Sequence, residues 1–492
     1  MSRFICAIDQ GTTGTTVVIL DEALQVRARV TEEFEQIFPQ PSWVEHDPLA
    51  IWKSTTSTLA QAQREAGIGP EEIAAVGITN QRETTVVWDR QTGVPIHNAI
   101  VWQDRRTRGK IQQLVDDGYE SMIRERTGLL LDPYFAGTKV QWILDNVDGA
   151  RARAERGELA FGTIDSYLVW KLTGGDVHVT DVSNASRTLF MDLQEATWNQ
   201  ELLDLFRVPR SMMPQIVGNA EVYGEVRGIE GLADGTPIAG MAGDQQSALF
   251  GQVCFEPGEA KCTYGTGAFL LMNTGSEPVF SEHRLLSTAA WRLGDKTTYA
   301  LEGSAFIAGA MVQWLRDGLK IIDSAPQIEE LAGTVESSDG VVVVPALSGL
   351  GAPHWNPSAR GVIWGLTRGT TRAHIARAAL EGIALQNVDI LAAMEQDLGE
   401  SLKVLRVDGG ACANNLLMQM QADFLDRTIV RPEMTETTAL GAALLAGLGA
   451  GIFDDLNEIR NTWREERRFE PQMGTVERSR HLKLWKEGID RV

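Results

Sequence analysis

Two stretches of this chain, one at its start and one just past its middle, are written in the same form. Residues 5–20 run Ile-Cys-Ala-Ile-Asp-Gln-Gly-Thr-Thr-Gly-Thr-Thr-Val-Val-Ile-Leu, and residues 260–273 run Ala-Lys-Cys-Thr-Tyr-Gly-Thr-Gly-Ala-Phe-Leu-Leu-Met-Asn. Each is an apolar run, a tight glycine-threonine turn and a second apolar run, which reads as two antiparallel strands. Gly11 and Gly14 allow positive φ and close approach of another group to the backbone. Successive N–H groups in such a turn form an anion-binding concavity, and Thr12, Thr13, Thr15 and Thr16 add hydroxyl donors. Asp9 sets a carboxylate beside the turn, as a Mg2+ ion bridging phosphates requires, usually through water. The first stretch alone is equally compatible with an ordinary threonine-rich hairpin. Its repetition, with Gly265-Thr266-Gly267 answering Gly11 to Gly14, points to a duplicated domain that grips a phosphate between two copies.

A chain of 492 residues exceeds one ordinary core, so two or three domains are expected. A compositional join near residues 251–258 divides it into 1–250 and 251–492. The net charge of −21 argues against a sequence-independent nucleic-acid binder, which needs a basic footprint. Any bound phosphate must then be held by local donors and a metal. Cys6, Cys254, Cys262 and Cys412 show no CxxC spacing and read as small buried hydrophobes in a reducing compartment. The apolar run from Phe4 to Ile8 is too short for a signal-peptide core. The glycine-broken stretch 439–453 is too short to span a bilayer. The expectation is a cytoplasmic protein with no membrane insertion. The seven histidines lack metal-ligand spacing.

Residues 25–34 continue the opening hairpin as a third strand. Three antiparallel strands do not start a Rossmann unit, and neither GxGxxG nor a P-loop motif occurs. A helix is expected over 49–65 and strands over 73–79 and 85–89. Between those strands lie Asn80-Gln-Arg-Glu-Thr84, where Arg82 and Glu83 supply donors and acceptors in one place; a surface turn with a weak ion pair is the plainer reading. The next strand carries Trp102 near the same sheet end. Asp132-Pro-Tyr-Phe135 is a turn before a helix, and residues 179–187 read as irregular. Residues 237–246 read as a buried strand ending in a polar turn, with a helix starting near Gln246. Asp244 there is a candidate general base or a helix N-cap. In the second half, helices are expected over 305–315 and 374–394, the latter on an apolar face spaced 4, 4, 7 and 4 from Ile375 to Met394. Buried strands are expected at 341–345 and 404–408. Gly409 and Gly410 then leave flat backbone for a planar group or form a plain βα turn, and Asn414 or Asn415 caps the following helix. The charged tail, 462–492, reads as a surface helix.

Together, Asp9-Gln-Gly-Thr-Thr13, Asn80-Gln-Arg-Glu-Thr84, Asp132-Pro-Tyr-Phe135, Gly243-Asp-Gln-Gln246, Tyr264-Gly-Thr-Gly267 and Asp408-Gly-Gly410 resemble the FGGY family of carbohydrate kinases, in its glycerol-phosphorylating branch. The likeness runs from Ile8 to about Leu448 and includes a signature-like run with Gly365, His374 and Glu381. It implies an α/β, two-domain actin-like (ribonuclease H-like) ATPase fold with a duplicated core and a deep interdomain cleft. The implied reaction is ATP-dependent phosphorylation of glycerol to sn-glycerol 3-phosphate, with Mg2+, in a homodimer or homotetramer. By the same likeness Arg82, Glu83, Tyr134, Asp244 and Gln245 would hold the triol, with Trp102 and Phe269 as an apolar wall. Asp244 would accept the proton of the attacking hydroxyl, and Asp9 would position the metal. Thr12, Thr13, Gly14, Thr16 and Thr266 would face the phosphates. Gly309, Gln313, Gly410 and Asn414 would line the far end of the nucleotide. Glycerol offers three hydroxyls and little else, so a selective site needs fixed, paired donors and acceptors.

Two departures stand out. Many glycerol-branch members carry Arg where this chain has Thr16, which removes one counter-charge from the phosphates. The Gly-Gly-Thr-Arg loop that binds fructose 1,6-bisphosphate in some bacterial relatives is matched by Leu232-Ala-Asp-Gly235, without the Arg, and no histidine lies between His178 and His283. Bisphosphate inhibition and phosphohistidine control are therefore expected to be absent. The competing readings are an FGGY kinase for xylulose or gluconate, and an actin-like ATPase without a small acceptor. The Asn80–Thr84 and Asp132–Phe135 blocks favour glycerol over the first; Arg82, Glu83, Tyr134 and a base at Asp244 would be superfluous in the second.

Overall fold

A computed structural model describes residues 3–492. The chain opens with strands β1 (Phe4–Gln10), β2 (Gly14–Asp21) and β3 (Val26–Glu33), antiparallel in sequence order. Helix α1 (Pro48–Ala66) follows, with Asp47 accepting the Leu49 N–H at its start, Pro48 in its first turn and left-handed Gly67 at its end. The chain returns as β4 (Ile73–Asn80) and, after a long insertion, as β5 (Pro237–Gly243), which runs directly into α2 (Asp244–Gly251). The core order is β3-β2-β1-β4-β5, with the short strand Gly224–Glu225 on the edge beyond β5. Strands β1, β4 and β5 are mutually parallel, and Gln10, Asn80 and Gly243 lie in one register line at their ends.

The second half repeats this plan. Strands β6 (Glu259–Tyr264), β7 (Ala268–Gly275), β8 (Leu286–Leu293) and β9 (Lys296–Ala305) lead to helices α3 (Gly309–Asp317) and α4 (Arg372–Leu398). Then come β10 (Val404–Asp408), α5 (Asn415–Leu425) and β11 (Ile429–Pro432). The order β9-β7-β6-β10-β11, antiparallel across β9, β7 and β6 and parallel beyond, matches β3-β2-β1-β4-β5 of the first sheet. β8 extends one edge, and the strand Glu465–Phe469 extends the other. The duplication expected from the two hairpins is thus a duplicated sheet.

Helix α6 (Thr437–Gly449) is apolar almost all round, as a helix buried on every side must be. It lies against the first sheet, where Ala439, Ala442 and Ala446 join Ile5, Ala7 and Val18 in one core. The approach is close enough that a Cβ on Gly77 would stand 2.2 Å from the Ala442 carbonyl oxygen. A Cβ on Gly441 would likewise stand 1.8 Å from the Ser247 carbonyl oxygen of α2. A separate core within the insertion, around Phe135, Ile143, Phe161 and Phe190, also takes in Leu286 and Ala289 of β8.

Four local expectations need correction. Residues 179–187 are regular: Val179–Asp181 is a strand and Val182–Ala185 a short helix, because the Asp181 carboxylate accepts the N–H groups of Ser183 and Asn184. The helix expected over 305–315 begins at Gly309, since Ala305 is still paired with Ala268. Helix α2 starts at Asp244, with Gly243 as its cap residue. The charged tail is helical over Thr475–Ile489 only, its first part being the edge strand Glu465–Phe469. Of the two asparagines, Asn414 makes the α5 cap by accepting the Leu417 N–H at 2.8 Å.

Candidate active site

Ligands of α/β sheets gather beyond the carboxyl ends of parallel strands, and here three such ends stand side by side. They deliver Asp9, the Asn80–Thr84 turn and Asp244. The second sheet supplies the facing wall through Phe269 on β7 and Glu302 and Ser304 on β9. Between them lies a cavity of about 650 Å³, lined by Thr12, Thr13, Arg82, Glu83, Trp102, Tyr134, Asp244, Gln245, Thr266 and Phe269 among others. These are ten of the residues singled out from the sequence, drawn from both halves of the chain.

The floor of the cavity is charged and its side chains are almost wholly buried. Arg82 is 3% exposed and Glu83 1%, so the pair is not a surface turn. Arg82 grips Glu302 with two guanidinium nitrogens, donates to Gln246 at 3.2 Å, and places its Nε 3.2 Å from Asp244 Oδ1. Arg187, fully buried, donates to Glu83 at 2.7 Å and to Glu302 at 3.0 Å. Two guanidinium groups therefore face three carboxylates in an interlocked set. Burial works to raise the Glu302 carboxyl, and Arg187 and Arg82 override it, holding the pKa at about 2. Glu83 is pushed upward by burial, against the pull of Arg187 and Arg82. Glu83 also holds a positive φ of 60°, a conformation a non-glycine residue keeps only where its surroundings enforce it.

Aromatic side chains close the other walls. Tyr134 meets Trp102 edge to face at 5.6 Å, and the Trp102 indole N–H donates to Thr12 Oγ1 at 3.0 Å. The acceptor wall and the first glycine-threonine turn are thus tied directly. Lys139, buried beneath, donates to the Tyr134 carbonyl, and burial lowers its pKa to about 7. Lys261 on β6 is also buried and donates to Gln245 Oε1 and, at 2.8 Å, to Thr263. With its oxygen occupied, the Gln245 amide has its Nε2 group left to donate.

Comparison with known proteins agrees with this geometry. Profiles of the FGGY family of carbohydrate kinases match residues 4–251 with the family's N-terminal domain and 260–450 with its C-terminal domain. The chain belongs to the FGGY family of carbohydrate kinases. A glycerol kinase of Myxococcus xanthus is 60% identical to this FGGY chain, covering all of it and 99% of the relative. Glycerol kinase 2 of Thermotoga maritima is 55% identical over 99% of this chain and 98% of its own. The crystal structure of Plasmodium falciparum glycerol kinase with ADP superposes with a TM-score of 0.94 at 37% identity, covering 100% of this chain and 98% of that one.

Not every residue expected at the site of this FGGY kinase lines the cavity. Gly14 and Thr16 lie along β2, where Thr16 Oγ1 is 2.9 Å from Thr31 Oγ1. Asp9, half-buried beside Thr16, has its pKa raised to about 7 by burial and then by the charges of Asp244 and Glu436, with Arg29 opposing. Gly309 starts α3 against the second turn, its N–H donating to the Gly265 carbonyl at 2.9 Å, and Gln313 is exposed one turn on. Gly410 faces open space, and Asn414 spends its oxygen on the α5 cap. This second group lies outside the cavity lining. Sequence reasoning missed Arg187, Glu302 and Lys261. For Glu302 a signal existed: it is the single carboxylate in the apolar run from Tyr299 to Ala305.

Proposed function

We propose that this FGGY kinase transfers the γ-phosphoryl group of ATP to glycerol, giving sn-glycerol 3-phosphate. The observation that carries the reading is the buried Arg82–Glu302–Arg187–Glu83 set with Asp244 at its edge, 3.2 Å from Arg82. A small polyol needs donors and acceptors already fixed in place, because unpaired polar groups in the pocket then reject acceptors of the wrong shape. Arg82, Glu83, Tyr134 and Gln245 would hold the hydroxyls, with Trp102 and Phe269 against the carbon chain. Asp244, partly open to the cavity, would take the proton of the attacking hydroxyl. Arg82, restrained by Glu302, keeps that carboxylate oriented. Most of the rate would come from positioning and charge stabilisation rather than covalent chemistry.

Thr12, Thr13, Gly14, Thr16 and Thr266 would serve the phosphates, and Gly309, Gln313, Gly410 and Asn414 the nucleoside end. Magnesium fits the Asp9 side, where burial first, and then the charges of Asp244 and Glu436, raise the Asp9 pKa, and a divalent cation would relieve that crowding of negative charge. The ion would be held by one carboxylate, water and substrate phosphates. When bound, the ion would neutralise phosphate charge. The same reading divides the chain into domains 1–250 and 251–492 and makes the enzyme cytoplasmic and a homodimer or homotetramer. It also leaves the enzyme free of bisphosphate and phosphohistidine control. No helix of the described residues is long and apolar enough to cross a membrane.

The test is ADP release with ATP and Mg2+, comparing glycerol, xylulose, gluconate and no acceptor. Glycerol alone should stimulate, and Asp244→Asn should lower kcat by about 10²–10⁴-fold, the usual share of a general base. Stimulation by xylulose or gluconate instead would reassign the acceptor. Turnover indifferent to every acceptor would overturn the kinase reading.

A further inference from the structure

Beneath the cavity, one buried carboxylate reaches both arms of the site. Asp181 is fully buried, in the segment that joins a short strand to the helix Val182–Ala185. Its Oδ1 accepts from the Ser183 N–H at 2.7 Å, the Ser183 hydroxyl, the Asn184 N–H at 3.2 Å and Asn219 Nδ2 at 2.9 Å. Its Oδ2 accepts from Asn184 Nδ2 at 2.6 Å. A helix cap alone would account for the two backbone donors. The three side-chain donors lead elsewhere.

The first path runs through Asn184. Its amide exchanges two hydrogen bonds with the amide of Asn80, at 3.0 and 3.1 Å, and Asn80 Nδ2 also donates to the Gln81 carbonyl at 2.9 Å. Asn80 is the last residue of β4, so this path fixes the start of the turn that presents Arg82 and Glu83. The second path runs through Ser183, whose hydroxyl oxygen accepts the Gly243 N–H at 3.0 Å, one residue before Asp244. Asn219 reinforces that path by donating to the Met241 carbonyl on β5 at 2.8 Å. Every group in both paths is buried, where an unmade hydrogen bond is costly and a fully satisfied network is rigid.

We infer that Asp181 is a positioning residue that sets the acceptor-holding turn and the Asp244 base in a common frame, through the separate Asn184–Asn80 and Ser183–Gly243 paths. This rests on the proposed glycerol-kinase reading but concerns residues that touch neither substrate. The two paths end on different functions, so breaking each should have a different kinetic signature. A shift of the Arg82/Glu83 turn acts first on acceptor binding and reaches the base only through the Arg82–Asp244 contact; a shift of Asp244 acts first on the step in which the proton moves.

The experiment compares Asp181→Asn, Ser183→Ala and Asn184→Ala in the full-length protein, by ADP release over a glycerol series and by urea unfolding. Ser183→Ala should lower kcat by about 10-fold or more with KM for glycerol changed less than about 3-fold, because small misplacements of reacting groups are expensive. Asn184→Ala should raise KM for glycerol by about 10-fold with a smaller loss of kcat. Asp181→Asn should do both, since an amide cannot accept from every donor that faces it. If that variant does not fold, the two single-path variants carry the test. Variants that lose only stability, with kcat and KM within about 2-fold of wild type, would overturn the inference and leave the function standing. A wild-type protein that no acceptor stimulates would overturn both.

Discussion

Arg82 and Arg187 share the two oxygens of Glu302, and none of the three is more than 3% exposed. Removing one member of such a set strands the others in a buried interior, which costs about 3–5 kcal/mol, more than the net worth of the pair. Glu302→Gln is therefore expected to destabilise the protein by about that amount at neutral pH and to weaken glycerol turnover as Arg82 loses its anchor. The pH dependence follows from the direction of the shift. The folded-state pKa of about 2 lies below the ordinary 4.5. The carboxylate's contribution is thus complete above about 4.5 and is lost as pH falls from there toward 2. Urea unfolding at pH 7 and near pH 3.5 checks this: the gap between wild type and variant should narrow in acid, and an unchanged gap would refute the assignment. Arg82, Glu83 and Asp244 were readable from sequence because polar residues at the ends of apolar strands stand out. Arg187 was not, because what gives it meaning is a partner 115 positions away in the other half of the chain.

At the level of elements, α6 shows why local pattern reaches only so far. Its composition announces burial on all sides, yet nothing local says that a helix from the second half lies on the first sheet. The contact is made through backbone. With Ala442 O 2.2 Å from where a Gly77 Cβ would be, and α2 packed as closely against Gly441, neither glycine leaves room for a side chain. Gly77→Ala is expected to cost about 1–3 kcal/mol as overpacking, read as a lower urea midpoint with an unchanged m-value. A midpoint equal to wild type would mean that α6 shifts freely. Hairpins, α1 and α4 were legible because turn glycines, caps and apolar spacing are local. The start of α3 was not, because Ala305 is held in β9 by pairing with Ala268, a long-range fact that overrides helical composition. The helix Val182–Ala185 hid for a similar reason: Ser, Asn and Asp favour turns until a fixed carboxylate caps them.

Over the whole molecule, the charge balance around Asp9 bears on Thr16, the position where the family resemblance leads one to expect an arginine. Asp9, Thr16 and Thr31 are register neighbours across β1, β2 and β3, and Arg29 lies two residues from Thr31, on the same face. Arg29 is paired at 3.2 Å with Glu436, which immediately precedes α6. Both partners are about half exposed, at 49% and 47%, and such a pair contributes at most about 1 kcal/mol. It is cheap to break. The Arg29 charge also lowers the Asp9 pKa, against burial and then the carboxylates of Asp244 and Glu436, which raise it. An incoming polyphosphate would compete with Glu436 for Arg29, so that Arg29 supplies from β3 the positive charge that Thr16 cannot supply from β2. Arg29→Ala should then raise KM for ATP several-fold while KM for glycerol and the urea midpoint stay near wild type. Arg29→Lys should recover part of the loss, since the charge returns without the planar fork. The wild-type KM for ATP should rise with salt more steeply than that of Arg29→Ala, because the variant lacks the screened interaction. An ATP dependence indifferent to Arg29 at low and high salt would leave the glycine-threonine turns and the metal to hold the phosphates of this strongly acidic protein unaided.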